Sequence, residues 1–386
     1  MSSPFKGVAQ LPVLLDAMGG DAIGGNAIGG NGVGGDSSPA VTFKAASRAC
    51  EEGLGPVTLV GDPSRLALPP RAQWPEGLEL IEASQAIGMS EMPTHAMRAK
   101  PQSSMHVGMR ALQEGKGCAF VTAGNSGAAV AVGLVTLKRV KGCERPAIAS
   151  VMPSLKQPVV LLDMGANVSC KPKHLVQFGV MGACYAEHTL ELSRPRVALL
   201  SNGHEASKGT DELRRAHQQL TQLDLNYIGY REAQALPLGE VDVLITDGFV
   251  GNVALKLSEG VVEALISRIK ARLEERRLTR VLGAMLYPVL SGLKEELDWR
   301  SVGGAPILGL NETVLVCHGS SDADALVSAI KRARSYAALH LPAKLATALE
   351  ATPQGGKVST TSEILGPHHS PEPPVQRAEG SGDERP

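Results

Sequence analysis

Short apolar runs recur along this chain, and five of them stop at a polar turn of Gly, Asn, Ser, Asp or His that is usually followed by a segment of helical periodicity. Cys118–Thr122 leads into Ala123-Gly-Asn-Ser-Gly127, Val159–Leu162 into Asp163-Met-Gly-Ala-Asn167, and Val197–Leu200 into Ser201-Asn-Gly-His-Glu205. Farther along, Val241–Thr246 leads into Asp247-Gly-Phe-Val-Gly-Asn252, and Thr313–Cys317 into His318-Gly-Ser-Ser-Asp322. Continuous apolar runs alternating with helical patterns mark parallel strands covered on both faces, so the pattern predicts an α/β fold with a mostly parallel sheet. Open sheets of this kind bind ligands at the carboxyl ends of their strands, and the five turns are expected to meet in one crevice. Glycines there admit a ligand to the backbone, and helix N-termini offer free N–H groups to an anion.

The same pattern predicts strands near 12–17, 57–61, 78–82, 118–122, 146–152, 158–163, 196–201, 225–229, 241–247 and 312–317. Helices are predicted near 39–53, 104–115, 126–139, 172–191, 208–222, 252–278, 281–297 and 321–349. We read 12–350 as a single catalytic domain, preceded by a flexible 1–11. From Ala351 to Pro386 the chain turns to Pro, Gly, Ser and charge, which cannot offset the entropy of ordering and reads as a disordered tail. Residues 19–38 hold a period-five Gly-Gly repeat between a strand and a helix that Asp36, Ser37 or Ser38 would cap, with Pro39 at its first position. The repeat contains Gly30-x-Gly32-x-x-Gly35, a dinucleotide fingerprint if read literally, with Asp62 as its ribose acid. The fingerprint needs its glycines directly after the strand, so a flexible Gly-rich insertion is the preferred reading.

Composition narrows the class. A chain of 386 residues with 43% hydrophobic content can bury a full core, while a net charge of -1 and 3% aromatics argue against nucleic acid. The six cysteines form no CxxC pair and most lie in apolar segments, as expected of reduced, buried thiols in a cytoplasmic protein with neither a disulfide framework nor a metal site. No signal peptide is visible. The charge-free stretch Cys118–Leu137 is long enough for a membrane span, but Gly124, Asn125, Ser126 and Gly127 cut it into strand, turn and helix.

Several blocks carry a resemblance. Leu15-Asp-Ala-Met-Gly-Gly20, Ser103-Ser-Met105, Ala123-Gly-Asn-Ser-Gly-Ala128, Asp163-Met-Gly-Ala-Asn-Val168 with Cys170-Lys-Pro172, Asp247 through Lys256, Gly303-Gly-Ala-Pro306 and His318 through Asp322 together resemble the phosphate acyltransferase family PlsX, over about residues 12–335. The resemblance implies transfer of a fatty acyl group from acyl carrier protein to orthophosphate, without a cofactor, in bacterial phospholipid synthesis. The acyl phosphate would pass to a membrane glycerol-3-phosphate acyltransferase. It also implies a Rossmann-like α/β sandwich, related to phosphotransacetylases and isopropylmalate dehydrogenase-like folds, in homodimers that visit the inner face of the cell membrane. Three features depart from the family pattern. The Gly-Gly-Asp repeat is expanded, His204 stands in the Gly203–Gly209 loop where a carboxylate is usual, and Ser169 precedes Cys170 in place of Asp.

Orthophosphate is already ionised near neutral pH, so its attack on a thioester needs less a general base than a cationic, N–H-lined pocket with donors for the developing oxyanion. Lys171, Lys208 and Lys256 lie at or just beyond strand-end turns and are assigned to phosphate and charge. Asn125, Asn167 and Asn252 are assigned to orientation, with Gly124, Ser126, Gly127, Asp163, Glu205, Asp247 and Gly251 as further lining. For any one of these, an Asn or Gly that merely closes a turn is an equal reading. His318 would protonate the leaving thiolate or bond the acyl carbonyl; the alternative is a capping neighbourhood with Ser320 or Ser321 as the cap. Cys170 has Lys171 beside it to lower its pKa but no base in sequence reach, so direct attack by phosphate is preferred over an acyl-cysteine.

Between Arg268 and Arg280 six basic residues face two acidic ones, and Leu282, Met285, Leu286, Val289, Leu290, Leu293 and Leu297 follow at helical spacing. The segment suits a membrane surface or an acidic carrier protein; a solvated helix followed by a core or dimer helix fits equally, since Pro288 interrupts the pattern. A nicotinamide-dependent dehydrogenase and a non-catalytic membrane scaffold remain the other functional readings.

Overall fold

Residues 10–20, 39–66, 68–205, 207–274, 286, 289, 291–292 and 303–352 are described by a computed structural model. Eleven strands form one sheet: β1 (Val13–Asp16), β2 (Val57–Gly61), β3 (Leu78–Glu82), β4 (Ala119–Thr122), β5 (Ala147–Met152), β6 (Val159–Leu162), β7 (Val197–Leu200), β8 (Tyr227–Arg231), β9 (Val243–Ile245), β10 (Ala305–Leu308) and β11 (Val314–Val316). Ten of them fall within two residues of the predicted bounds. The helices are α1 (Pro39–Glu51), α2 (Pro63–Leu66), α3 (Pro93–Ala99), α4 (Ser104–Gln113), α5 (Ser126–Thr136), α6 (Pro172–Thr189), α7 (Asp211–Leu220), α8 (Ala235–Leu238), α9 (Gly248–Glu274), α10 (Ala323–Ala338) and α11 (Leu341–Ala351).

Most strands are buried along their whole length because both faces are covered. Along β1, Val13 and Leu15 join one core with residues of α1, α6, α10 and α11, while Leu14 joins another with Met105 and Met109 of α4 and Ala128 and Ala129 of α5. A third cluster places Leu255 of α9 and Leu236 of α8 against Val159, Leu161 and Leu244. The Cys118–Leu137 stretch is β4, a turn and α5, as predicted.

Strand order is β3-β2-β1-β4-β11-β10-β5-β6-β9-β7-β8. Neighbours are parallel within β3-β2-β1-β4-β11 and within β6-β9-β7-β8, but β10 is antiparallel to both β11 and β5, and β5 is antiparallel to β6. The two parallel blocks therefore run in opposite directions. This corrects the single-crevice expectation: the turns after β4 and β11 leave one edge of the sheet, and those after β6, β7 and β9 leave the other.

Two further corrections concern elements. β10 went unpredicted because Pro306 and the flanking Gly303-Gly304 read as loop. Pro306 is tolerated because the two halves of β10 pair on different sides: Ala305 and Pro306 with β11, Ile307 and Leu308 with β5. The helix predicted at 321–349 is two helices, α10 and α11, separated at Leu339-His340, where His340 takes a left-handed conformation at φ 50. Pro342 lacks the N–H that a continuous helix requires, so the chain ends one helix and starts another. The Gly-rich segment beyond Gly20, its fingerprint and its cap, most of 281–297 and the tail beyond Thr352 lie outside the described residues.

Candidate active site

At the edge where β1, β4 and β11 end, one buried carboxylate organises the turns. Asp16 accepts from Met18 N at 3.0 Å and from Thr122 Oγ1 at 2.7 Å, and Thr122 Oγ1 accepts from Gly124 N at 3.0 Å. A Cβ on Gly19 would lie 2.7 Å from the backbone nitrogen of Gly124, so the turn after β1 needs glycine to pack against the turn after β4, and one on Gly124 would displace the Met105 methyl, 2.5 Å away. Burial pushes the Asp16 carboxyl above its ordinary value, against the pull of its hydrogen bonds to Ser104, Thr122 and the backbone. The sequence reading missed Asp16; its signal was an acid ending the apolar run Val13–Leu15.

Asn125 caps α5, accepting from Ala128 N at 3.0 Å, and its amide donates to Met89 O and Glu91 O, each at 3.0 Å. Both ends of that side chain are occupied in pinning the 88–91 loop beside α5, so the turn-closing reading describes it. Ser126 is exposed and Gly127 half-buried at the start of α5.

The opposite edge has its own knot. Asp163 is fully buried, and its carboxylate accepts from Ile148 N, Gly165 N, Ala166 N, Asn167 N and Asn167 Nδ2 at 2.7 to 3.3 Å. Desolvation raises the Asp163 pKa and these donors pull it back. The Asn167 amide also donates to Pro146 O at 2.8 Å, so Asp163 and Asn167 are spent on shaping their own loop. Helix α9 is seated on that loop: Gly248 N donates to Asn167 O at 2.7 Å, and a Cβ on Gly251 would fall 1.9 Å from Asp163 O. Asp247 Oδ1 accepts from Val250 N at 2.9 Å as the cap of α9, which leaves Asn252 exposed, its Cβ facing Gly165. Lys171 is exposed at the start of α6.

Helix α9 then carries residues from this edge to the other. Eight residues of helix from Gly248 to Lys256 rise about 12 Å, close to the length of a four-residue strand. Lys256 accordingly reaches the loop after β11, where its Nζ lies 3.3 Å from His318 Nε2 and 2.9 Å from Glu259 Oε2. His318 Nδ1 lies 2.7 Å from Ser320 Oγ. An ammonium can only donate, so the Lys256 contact uses a lone pair on Nε2, while Ser320 N–H points at Nδ1 from 3.2 Å; a neutral ring has one such lone pair and serves one of these two donors at a time. The capping expectation needs correcting: Asp322, not Ser320 or Ser321, caps α10, accepting from Ala325 N at 2.9 Å.

Glu205 and Lys208 stand apart on the loop after β7. Both are exposed, and both flank Gly203, whose Cβ would lie 2.7 Å from Glu205 Oε2 and 3.0 Å from Lys208 Cγ. Asn202 Oδ1 accepts from Gly209 N, and Arg214 Nη1 donates to Gly209 O at 2.7 Å, which fixes the loop's return. Among the described residues the Lys208 ammonium makes no ion pair. His204 turns away, its Nδ1 3.3 Å from Tyr230 O. Asp62, the candidate ribose acid, instead accepts from Ser64 N and Ser64 Oγ at the start of α2.

Cys170 is half-buried, and burial, reinforced by Asp163 and Asp247, pushes its thiol up to about 12. The expected lowering by Lys171 does not occur, since desolvation and the two carboxylates outweigh nearby cations. Among the described residues no group of His, Cys, Asp and Glu is arranged to hold a metal ion, and no helix is long and apolar enough to cross a membrane.

The chain is similar to known proteins over most of its length. The profile of the family described as "Fatty acid synthesis protein" matches residues 26–344. A phosphate acyltransferase of Syntrophotalea carbinolica is 42% identical over 327 residues, covering 84% of this chain and 90% of its own. One from Anaeromyxobacter sp. (strain Fw109-5) is 43% identical over 341 residues, covering 88% and 90%. Among solved structures, a phosphotransacetylase from Streptococcus pyogenes shares the fold with a TM-score of 0.56 at 17% identity, over 86% of this chain and 98% of that one. The EutD phosphotransacetylase from Staphylococcus aureus has a TM-score of 0.51 at 14% identity, over 86% and 97%.

Proposed function

The chain belongs to the fatty acid synthesis protein family, and on that premise we propose that it transfers a fatty acyl group from the thioester of acyl carrier protein to orthophosphate. The carrying observation is the Lys256–His318 pair, a cation and an imidazole from opposite sheet edges brought within 3.3 Å. A phosphate oxygen attacks the thioester carbonyl, the C–O bond forms, and the carbonyl oxygen takes up negative charge. Collapse breaks the C–S bond and releases acyl phosphate and the carrier thiolate, a leaving group stable enough to depart before it is protonated. Catalysis therefore rests on holding a dianion against a polarised carbonyl. In this reading Lys256 balances the phosphate charge beside His318, which orients the acyl carbonyl or phosphate, and Lys208, on the loop after β7, supplies further positive charge. Asn252, at the exposed start of α9, completes the polar wall, with Lys171, Glu205 and the Gly124–Gly127 turn farther out. Asp163, Asn167, Asp247 and Gly251 position α9. No cofactor takes part.

The same reading includes a homodimer that associates peripherally with the membrane and passes acyl phosphate to a membrane glycerol-3-phosphate acyltransferase for phospholipid synthesis. In its support, α9 exposes Phe249, Val253, Leu257, Val261 and Leu265, at 50 to 65% each and every fourth residue, and Arg268, Lys270 and Arg272 are exposed beyond them. An apolar stripe next to cations suits a partner helix, a lipid surface or an acidic carrier. Arg276, Arg277 and Arg280 lie outside the described residues.

The decisive assay incubates acyl carrier thioester with the enzyme, with and without orthophosphate. Free carrier thiol and a hydroxylamine-trappable acyl phosphate are expected only when phosphate is present. Thiol release that ignores phosphate would rule the assignment out.

A further inference from the structure

Helix α9 carries a carboxylate whose burial neither packing nor capping explains. Glu259 lies one turn beyond Lys256, its side chain only 16% exposed while that of Lys256 is 47% exposed. Glu259 Oε2 accepts from Lys256 Nζ at 2.9 Å, whereas its Oε1 is buried and accepts no hydrogen bond from any described residue. A carboxylate held away from water with one oxygen unused is a net cost to folding, because a single exposed lysine does not return the lost hydration. A glutamine of the same shape would avoid much of that cost. The neighbouring geometry gives the charge a use. With Oε2 fixed, the Lys256 ammonium is directed at His318 Nε2 at 3.3 Å, and the other ring nitrogen, Nδ1, lies 2.7 Å from Ser320 Oγ and 3.2 Å from Ser320 N.

We propose that Glu259 is a positioning residue, which holds the Lys256 ammonium against His318 so that cation and imidazole meet the anionic substrate as one preorganised unit. The inference rests on the acyl-to-phosphate reading above. Lysine has a long, flexible stem, and an unanchored ammonium would sample rotamers that lose the His318 contact. Anchored by Glu259, it presents its charge at one place beside the imidazole. The unit links Glu259 and Lys256 on α9 through His318 to Ser320 on the loop after β11. Both elements must be seated before the unit exists.

The test is Glu259→Gln in the full chain. An ion pair that served only folding would lose stability with the charge. Here we expect a melting temperature equal to or above that of the wild type, with kcat/KM for orthophosphate falling about tenfold or more as the ammonium loses its anchor. Turnover equal to the wild type, or a loss no larger than the loss of folded protein, overturns the proposal. A second measurement reads the contact itself. In nitrogen-labelled enzyme, the His318 ring resonances, assigned by their loss in His318→Asn, should shift in Glu259→Gln as the ammonium leaves Nε2. Ring resonances unchanged in the folded variant overturn the proposal whatever the kinetics. Wild-type enzyme that releases thiol without phosphate would refute the acyl-transfer reading instead, and the His318 ring resonances would still decide the positioning role.

Discussion

Two glycines on the same helix give opposite expectations when each is changed to alanine. At Gly251 the added Cβ would stand 1.9 Å from the carbonyl oxygen of Asp163, 3.0 Å from its carbonyl carbon and 3.1 Å from Thr246 Cγ2. Carbon–oxygen contacts settle at about 3.3 Å or more, so the start of α9 must retreat by roughly 1.4 Å. The carbonyl belongs to a loop tied by five N–H bonds to the Asp163 carboxylate and cannot swing aside. Overpacking of this kind costs about 1–3 kcal/mol, and a backbone obstacle places it at the upper end. In a domain this large, about 3 kcal/mol lowers the melting temperature by roughly 4 °C, which leaves the protein folded at assay temperature. Activity should suffer far more, because α9 carries Asn252 and Lys256, and a misplacement of about 1 Å can cost about 100-fold. At Gly260 an added Cβ meets no atom within 4 Å. Gly260→Ala should raise stability by up to about 1 kcal/mol through helix propensity and leave turnover unchanged. Thermal melting and phosphate-dependent thiol release, measured on both variants, check the pair. Wild-type melting and turnover in Gly251→Ala would refute the seating of α9 on the Asp163 loop; a turnover loss that only tracks unfolding would refute its role in the site.

Cys170→Ser should keep most of the activity, because a thiol pushed up to about 12 supplies almost no thiolate near neutral pH; an acyl-enzyme on Cys170 recovered by mass spectrometry would contradict direct attack. Asp163→Asn should cost about 3 kcal/mol or more in urea denaturation, since an amide turns a donor toward N–H groups that now point at a carboxylate. Recovery of wild-type stability in that variant would mean the loop is held by other contacts.

Much of this molecule was legible along the chain. Ten strands, the turns that end five of them and the helices after most of those turns are local features, set by periods of 2 and 3.6 residues and by where Gly and Asn interrupt them. The blocks from Leu15-Asp-Ala-Met-Gly-Gly20 to His318–Asp322 carried the family resemblance for the same reason: each is a contiguous turn with its own chemistry. Strand direction was not legible. The β10 segment reads as loop, and only its ladders with β11 and β5, together with the β5–β6 pairing, reverse one half of the sheet against the other. Side-chain duty was hidden too. Asn125 and Asp163 look like ligands for a substrate, yet the Asn125 amide is bound to carbonyls 34 and 36 residues away, and Asp163 holds Ile148 N on the neighbouring strand. His318 meets Lys256 across 62 residues, and Glu259 becomes visible only once that contact exists. A sequence fixes which groups a turn offers; which of them remain available to a substrate depends on which distant donors and acceptors folding brings within about 3 Å, because most buried polar groups take a partner there.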